Sequence, residues 1–426
     1  MKDKMLLVNG LSGAVKLVEK ETAQKIFNNE VIGELEPFFT HLTPKEEYEK
    51  AQTLCNFLME QAKRCADGCI AVTYDCNLRC PYCYEIWVKH PETMKIVVDT
   101  YKVDKAFEAL EELNKECTKE RSLTLTGGES LMKKNEDIIK YILKTGTEKG
   151  YELVIFTNGV ELDYFLSDLS SVPLDYIQIT LDGPSFLHNK RRVFKGGKPT
   201  FDTIVGNIEK ARELELPLVV RTNTDSEILD RIDELAAFFR KKGWVDDPNI
   251  HFSLAALYDQ HVDPEKTKDY VSLYQKALEL TKNEELHFMG INNFVRHFRR
   301  LYPLCKDPPR FWPSFWYCNA IVNRYVFDPF GNVYPCRSML GWKEERIGEY
   351  IPELQFNDNY KKWRERTIFT MKECTECDLA LVCGGDCGYA SLLNEKDLFT
   401  PMCTTTEQLV QDYIEYIIER RNTHAT

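Results

Sequence analysis

The sequence predicts an α/β protein: a partial (β/α)6 TIM-like barrel, preceded by a small α/β unit and followed by a cysteine-rich unit. Three observations carry that expectation. Short apolar strands alternate with helical stretches over residues 69–300. The glycine-bearing and polar segments fall where those strands end. The cysteines gather into two groups, three at 76–83 and seven between 318 and 403.

In chain order, residues 1–68 form the first unit. "MLLVNGLSGAVKLV" reads as two short strands around a glycine-containing turn. "TPKEEYEKAQTLCNFLMEQAKR" reads as a helix, with Thr43 as cap, Pro44 in the first helical position and Glu46 closing a capping box. Residues 69–300 supply six strand candidates: "CIAVTYD", "SLTLTGG", "ELVIFTNG", "YIQITLDG", "PLVVRTNTD" and "IHFSLAAL". Each is rich in β-branched or aromatic residues. Helical segments such as "KVDKAFEALEELNKE" and "TIVGNIEKARELE" separate them. That alternation calls for parallel strands with helical crossovers. A doubly wound sheet is the competing architecture. Residues 301–426 are rich in Cys, Trp, Pro and Gly, and end in the helical "TTEQLVQDYIEYIIERR".

The chain has 426 residues and a formal net charge of −12, without a long Lys/Arg block. Binding to nucleic acid or to an anionic membrane through a broad basic face is therefore not expected. The small basic cluster Arg296, Arg299 and Arg300 reads as a solvated helix face. No apolar run approaches the ~20 residues that span a bilayer. The apolar stretch in "MKDKMLLVNGLSG" is too short for a signal-peptide core. The expected location is the cytoplasm, where clustered cysteines serve as metal ligands or catalytic groups. Of the 15 cysteines, Cys55, Cys65, Cys69 and Cys117 are scattered and read as ordinary residues.

Cys76, Cys80 and Cys83 are spaced C-x3-C-x2-C in "TYDCNLRCPYCYE". That spacing would also place them on one face of a helix, but Pro81 breaks such a helix. The segment directly follows a strand, so a loop is expected, able to wrap all three sulfurs around one metal centre. An all-cysteine zinc site usually closes with four ligands. Three thiolates on a [4Fe–4S] cube leave one iron open for a substrate or cofactor.

With Tyr82 before the last cysteine, this motif resembles the signature of the radical S-adenosylmethionine enzymes. The resemblance implies that S-adenosylmethionine chelates the open iron through its amino and carboxylate groups. An electron from the cluster then splits the sulfonium into a 5′-deoxyadenosyl radical, which abstracts hydrogen from carbon. "LTLTGGES" on its own is a strand-to-helix turn. Beside the cysteines it resembles the family's Gly-Gly-Glu motif: Gly127 and Gly128 bring backbone close to a ligand, and Glu129 accepts from the cofactor's amino group. The family usually has Pro next; here it is Ser130. In "YIQITLDGPSFLHNKRR" the resemblance carries ribose and carboxylate contacts to Thr180 and Arg192. Asp182 and His188 lie in the same stretch, as site residues or as a turn and a capping or solvent residue. Arg221 and Asn223 alternate on one strand face; Arg221 is either a carboxylate ligand for the cofactor or half of a salt bridge.

The later cysteines run Cys318-x12-Gly331-x4-Cys336, then Cys374-x2-Cys377-x5-Cys383-x3-Cys387-x15-Cys403. This pattern resembles the SPASM extension of radical enzymes that modify peptides and proteins. The resemblance implies two auxiliary clusters, hence three [4Fe–4S] clusters in all. One is held by Cys374, Cys377, Cys383 and Cys403. The other is held by Cys318, Cys336 and Cys387, with Cys305 as fourth ligand or with an open iron. A zinc site of Cys374, Cys377, Cys383 and Cys387 is the alternative. "DPFGNVYPCR" reads as a hairpin presenting Cys336. Anaerobic sulfatase-maturating relatives carry an aspartate base after the equivalent cysteine; here Arg337 stands there, and a guanidinium cannot act as a base.

The expectation is therefore a maturase of ribosomally made precursor peptides that installs a thioether. Carbon–carbon cross-linking, epimerisation, a sulfatase or small-molecule substrate, and a non-catalytic electron carrier or zinc-ribbon module are the alternatives. The resemblance further implies a precursor peptide with a leader, gripped by residues 1–68 as a winged-helix-like module. Residues 69–300 are then the radical barrel and 301–426 the SPASM domain. A flavodoxin or ferredoxin is the implied electron donor.

Overall fold

The structure is a computed structural model and describes residues 4–28, 33, 42–85, 91–257, 267–280, 282–290, 301, 310–404 and 407–424. Cys305 and the cluster Arg296, Arg299 and Arg300 lie outside the described residues.

The chain begins with β1 (Lys4–Val8) and β2 (Val15–Glu19), paired antiparallel, then α1 (Lys20–Phe27) and α2 (Pro44–Lys63). Asn9 closes the β1–β2 turn by accepting from the N–H groups of Leu11 and Ser12. The capping box of α2 is present: the Thr43 N–H donates to Glu46 Oε2 at 2.7 Å and the Glu46 N–H donates to Thr43 Oγ1 at 3.3 Å.

The barrel follows as β3 (Asp67–Ala71), α3 (Thr100–Leu113), β4 (Arg121–Thr126), α4 (Glu136–Glu148), β5 (Tyr151–Thr157), α5 (Leu162–Leu169), β6 (Leu174–Thr180), α6 (Ser185–Arg191), α7 (Phe201–Glu213), β7 (Leu218–Thr224), α8 (Ile232–Lys241), β8 (Ile250–Ala256) and α9 (Thr267–Leu280). All six strands are parallel and neighbour one another in sequence order. A doubly wound sheet requires an order that reverses at a switch point. The sequential order is that of a partial barrel, with six parallel strands among the described residues.

Successive side chains of a strand face opposite ways, and the two faces of β7 differ. Leu218, Val220, Thr222 and Thr224 are buried, whereas Val219, Arg221 and Asn223 are half-buried. The buried face packs outward on helices. Ile179 of β6 and Ile204 of α7 meet around Gly159, and Phe239 of α8 packs on Phe252 of β8 with ring centroids 4.7 Å apart. The opposite face lines the lumen. Register places Phe156 beside Gln178, and Thr180 beside Arg221, which in turn faces Ser253.

The cysteine-rich part extends the same sheet. β9 (Arg324–Phe327) pairs parallel with β3, and β10 (Asn332–Tyr334), β11 (Gly348–Glu349) and β12 (Gln355–Phe356) continue antiparallel. The β9–β10 hairpin ends two residues before Cys336, as its sequence predicts. α10 (Asp358–Glu365), α11 (Gly388–Asn394) and α12 (Glu407–His424) complete the chain. Arg324 bridges to Asp67 with its Nε 2.9 Å from Oδ2, tying β9 to β3. One contiguous apolar core runs from Cys55 of α2 through the barrel to Tyr416 of α12. Among the described residues no helix is long and apolar enough to cross a membrane.

Candidate active site

The segment after β3 leaves the sheet gradually. The Val72 N–H donates to Thr126 O, and Gly128 and Glu129 donate to the carbonyls of Thr73 and Asp75, each at 2.8 Å. That pairing explains the two glycines. A Cβ at Gly128 would lie 2.3 Å from Asp75 O and 2.5 Å from Tyr74 O, and one at Gly127, whose φ is +130°, would lie 2.4 Å from Thr73 O. Their conformational freedom thus serves a close approach of backbone to backbone, which sets Glu129 beside the cysteine loop.

The loop carries Cys76, Cys80 and Cys83 as non-helical chain, as Pro81 predicts. It is pinned from behind by residues 193–198. The Arg79 N–H donates to Val193 O at 2.9 Å, Lys195 N–H donates to Asn77 O at 3.1 Å, and Leu78 bridges to Phe194. Asp75 holds both Lys134 and Lys195. Cys76, Cys80 and Cys83 lie within electrostatic reach of one another, and burial raises all three thiols, Cys83 to about 12. Cys76 Sγ accepts from the Leu78 N–H at 3.4 Å and from Asn158 Nδ2 at 3.7 Å, contacts that suit a thiolate.

Glu129 is buried and fixed by three donors: the N–H of Leu131 at 2.8 Å, Thr157 Oγ1 at 2.5 Å and the N–H of Asn158 at 2.6 Å. Burial still raises its carboxyl to about 7. Four acceptor sites and three donors leave room for one more donor. Across the loop, Arg192 Nη1 donates to Tyr82 Oη at 3.0 Å and lies 3.8 Å from Asp182 Oδ2; Tyr82 also donates to that carboxylate. Arg192 Nε is buried without a partner, and Cys80 lies in its field. Glu85 Oε1 is a second orphan, and burial with Glu129's charge pushes its carboxyl well up.

His188 is fully buried. Its Nδ1 accepts from the Asp182 N–H at 3.2 Å, so Nε2 carries the proton and faces Thr200 Oγ1 at 3.0 Å. Burial and Arg192's charge lower it to about 3. It is neither a cap nor a solvent residue: it braces the β6–α6 turn. Asp182 accepts from the Asn223 N–H at 2.9 Å, joining β6 to β7. Thr180 is buried at the end of β6. Among the described residues Arg221 forms no salt bridge; its Nε donates to Asn223 Oδ1 at 3.1 Å.

The later cysteines divide in two. Cys374 lies in the fields of Cys377, Cys383 and Cys403, and Cys387 in those of Cys318 and Cys336. Burial raises Cys374 and Cys387 to about 12 each. Among the described residues no three metal-ligating side chains converge on a single-ion centre. A cube, with one thiolate per iron, spreads its ligands wider than the shell of one zinc ion. Two residues that the sequence reading missed hold these loops. Arg366, fully buried, donates to Leu398 O at 2.6 Å, Asp386 O at 2.9 Å, Gly385 O at 2.6 Å and Ser391 Oγ at 3.1 Å. Asp386 accepts from the N–H groups of Cys387 at 2.7 Å and Thr404 at 3.0 Å. A lone Arg or Asp outside a motif gave no signal. Asp328 does the same for the Cys336 hairpin, and Tyr74 Oη donates to it at 2.9 Å, tying the two regions together.

Cys65 and Cys117, read from sequence as ordinary cysteines, form a disulfide between the end of α2 and the chain before β4. Their separation of 52 residues hides that proximity in the sequence.

Three thiols in a loop after β3, with a buried carboxylate and an unsatisfied guanidinium in their field, are a donor set suited to an iron–sulfur cluster. Residues 70–239 match the Radical SAM superfamily. Residues 70–239 thus carry a radical SAM domain, and the chain is an enzyme; the domain implies a [4Fe–4S] cluster and S-adenosylmethionine. The chain is 24% identical, over 336 residues, to a cysteine-type anaerobic sulfatase-maturating enzyme of Clostridium novyi, covering 74% of this chain and 85% of that protein. A GTP 3′,8-cyclase of Heliobacterium modesticaldum is 35% identical over 116 residues, only 26% of this chain and 33% of that protein. Among solved structures, anSMEcpe with bound AdoMet superposes with a TM-score of 0.60 at 17% identity, covering 84% of this chain and 94% of that one. Streptococcus suis SuiB bound to precursor peptide SuiA gives 0.57 at 16% identity, with 94% and 98% covered. Both share this fold.

Proposed function

We propose that the protein is a peptide maturase that installs a thioether, joining a cysteine sulfur to a carbon of a precursor peptide. When bound, the cluster and S-adenosylmethionine supply a 5′-deoxyadenosyl radical. The chain's own part is to hold and orient. Cys76, Cys80 and Cys83 hold the cube, and the fourth vertex is left to the cofactor. Glu129 accepts from the cofactor's amino group with its spare lone pair. Arg192 offers its unpartnered Nε to the carboxylate, backed by Tyr82 and Asp182, and Thr180 lies at the ribose. Gly127 and Gly128 set the depth of Glu129.

The observation that carries the thioether reading is the trio Cys318, Cys336 and Cys387, which among the described residues draws on one cysteine fewer than the other late group; Cys305, the candidate fourth ligand, lies outside them. Thiolates suit iron, so an open vertex there is a seat for the substrate's sulfur. Arg337 in place of the carboxylate base argues against sulfatase maturation. The structures of SuiB with SuiA and of anSMEcpe with a Kp18Cys peptide support a peptide substrate. A leader bound at residues 1–68, a flavodoxin or ferredoxin donor, and two auxiliary clusters held as the cysteine grouping suggests belong to the same proposal.

The test is anaerobic incubation of reconstituted enzyme, S-adenosylmethionine and reductant with cysteine-containing peptides, followed by mass spectrometry. The expected product has lost two hydrogens and no longer alkylates at its cysteine. A product that keeps a free thiol contradicts thioether formation.

A further inference from the structure

The lumen contains a second charged feature, below the cofactor residues. Arg337 leaves the end of the β9–β10 hairpin and enters the barrel, with its guanidinium 4.4 Å from the ring centroid of Phe156 and Nη1 3.8 Å from Cys69 Sγ. Arg221 approaches from β7, two residues nearer the mouth than Val219, which shares the register of Phe156 through Gln178. The two guanidiniums lie in each other's field, with Tyr84 and Tyr176 also in reach of Arg221.

Among the described residues neither guanidinium forms an ion pair with a carboxylate: Arg221 donates to the amide oxygen of Asn223, and Arg337 lies over the Phe156 ring and against the Cys69 thiol; Asp182 acts on Arg221 only through its field. Of the acids nearby, Asp182 is taken by Tyr82, Arg192 and the Asn223 N–H; Glu85, whose Oε1 is unpartnered, forms no ion pair with either guanidinium among the described residues. Two like charges half-buried at a common site repel and are poorly solvated, and an anion between them relieves both effects. A planar guanidinium recognises a carboxylate through paired N–H donors.

We propose that Arg221 and Arg337 form a carboxylate-binding site that selects the substrate: the peptide segment entering the barrel presents an aspartate, a glutamate or a free C-terminus. This assigns Arg221 to the substrate rather than to the cofactor. It rests on the peptide reading above.

The experiment uses reconstituted holoenzyme with S-adenosylmethionine and a panel of fluorescent, cysteine-containing peptides. They come in pairs that differ only as Glu against Gln, Asp against Asn, or free C-terminus against amide. Anisotropy under anaerobic conditions gives affinity, and mass spectrometry gives turnover. The carboxylate member of one pair type binds about tenfold tighter or better, the size expected of a charge-assisted pair. Which pair type responds tells side chain from terminus. The preference disappears in Arg337→Gln and Arg221→Gln, and Arg337→Lys keeps part of it. Because each preference is a ratio within one protein, a partly unfolded variant does not mimic its loss. Peptides bound and modified without regard to the carboxylate overturn this inference alone. Loss of S-adenosylmethionine affinity in Arg221→Gln with the peptide preference retained returns Arg221 to the cofactor and also overturns it. If no peptide binds or is modified, the peptide reading falls and this inference with it.

Discussion

At the scale of single residues, the site separates ligands from the groups that place them. If Cys76, Cys80 and Cys83 hold a cube as proposed, replacing any one of them by Ala removes a ligand, and each variant is expected to lose about four irons per chain by colorimetric assay. Glu129→Gln keeps the shape but trades an acceptor oxygen for an amide N–H beside the Leu131, Thr157 and Asn158 donors. Its S-adenosylmethionine affinity, measured by equilibrium dialysis, should fall about tenfold. Affinity equal to wild type would remove Glu129 from the cofactor. Arg366→Ala strands three backbone carbonyls and a hydroxyl in the core. The expected cost is about 3 kcal/mol or more in denaturant unfolding, with iron lost from the late cysteines while the Cys76 loop stays loaded.

At the scale of elements, the turns after the strands carry the site, and their sequences were readable to different degrees. The C-x3-C-x2-C loop was legible because Pro81 excludes a helix and the spacing leaves one vertex open. The glycine pair was legible as a tight approach, but what it approaches is decided by the pairing of residues 73–75 with 127–129, a tertiary fact. Gly128→Ala puts a methyl 2.3 Å from Asp75 O, so the pairing must part and Glu129 must move; cluster yield should drop although no ligand is changed. The β6–α6 turn depends on neutral His188. Its pKa is about 3 in the folded chain against 6.5 ordinarily. The unfolded chain therefore binds a proton below about 6.5 that the folded chain refuses, and stability declines as pH falls through that window toward 3. Melting curves between pH 7.5 and 5.5 should steepen in wild type relative to His188→Gln by up to one proton's slope. Identical slopes would mean that His188 is not held neutral.

At the scale of the whole molecule, strand–helix alternation was enough to expect the barrel, since six β-branched runs separated by helices allow few topologies. Less legible was how the late cysteines join it. β9 extends the barrel sheet through β3, and Arg324–Asp67 and Tyr74–Asp328 cross between regions more than 250 residues apart in sequence. Such pairs leave no local pattern. The same holds for Arg337, legible as a missing base but not as a lumen cation, and for the Cys65–Cys117 pair. The joined sheet brings Arg337, the residue after Cys336, over the Phe156 ring of β5. The measurement that tests this account most directly is 5′-deoxyadenosine release from anaerobically reconstituted enzyme with S-adenosylmethionine and dithionite, quantified by mass spectrometry. Wild type is expected to release it and Cys80→Ala to release none. Fully loaded wild type that forms no 5′-deoxyadenosine, or Cys80→Ala that forms as much, would contradict the account.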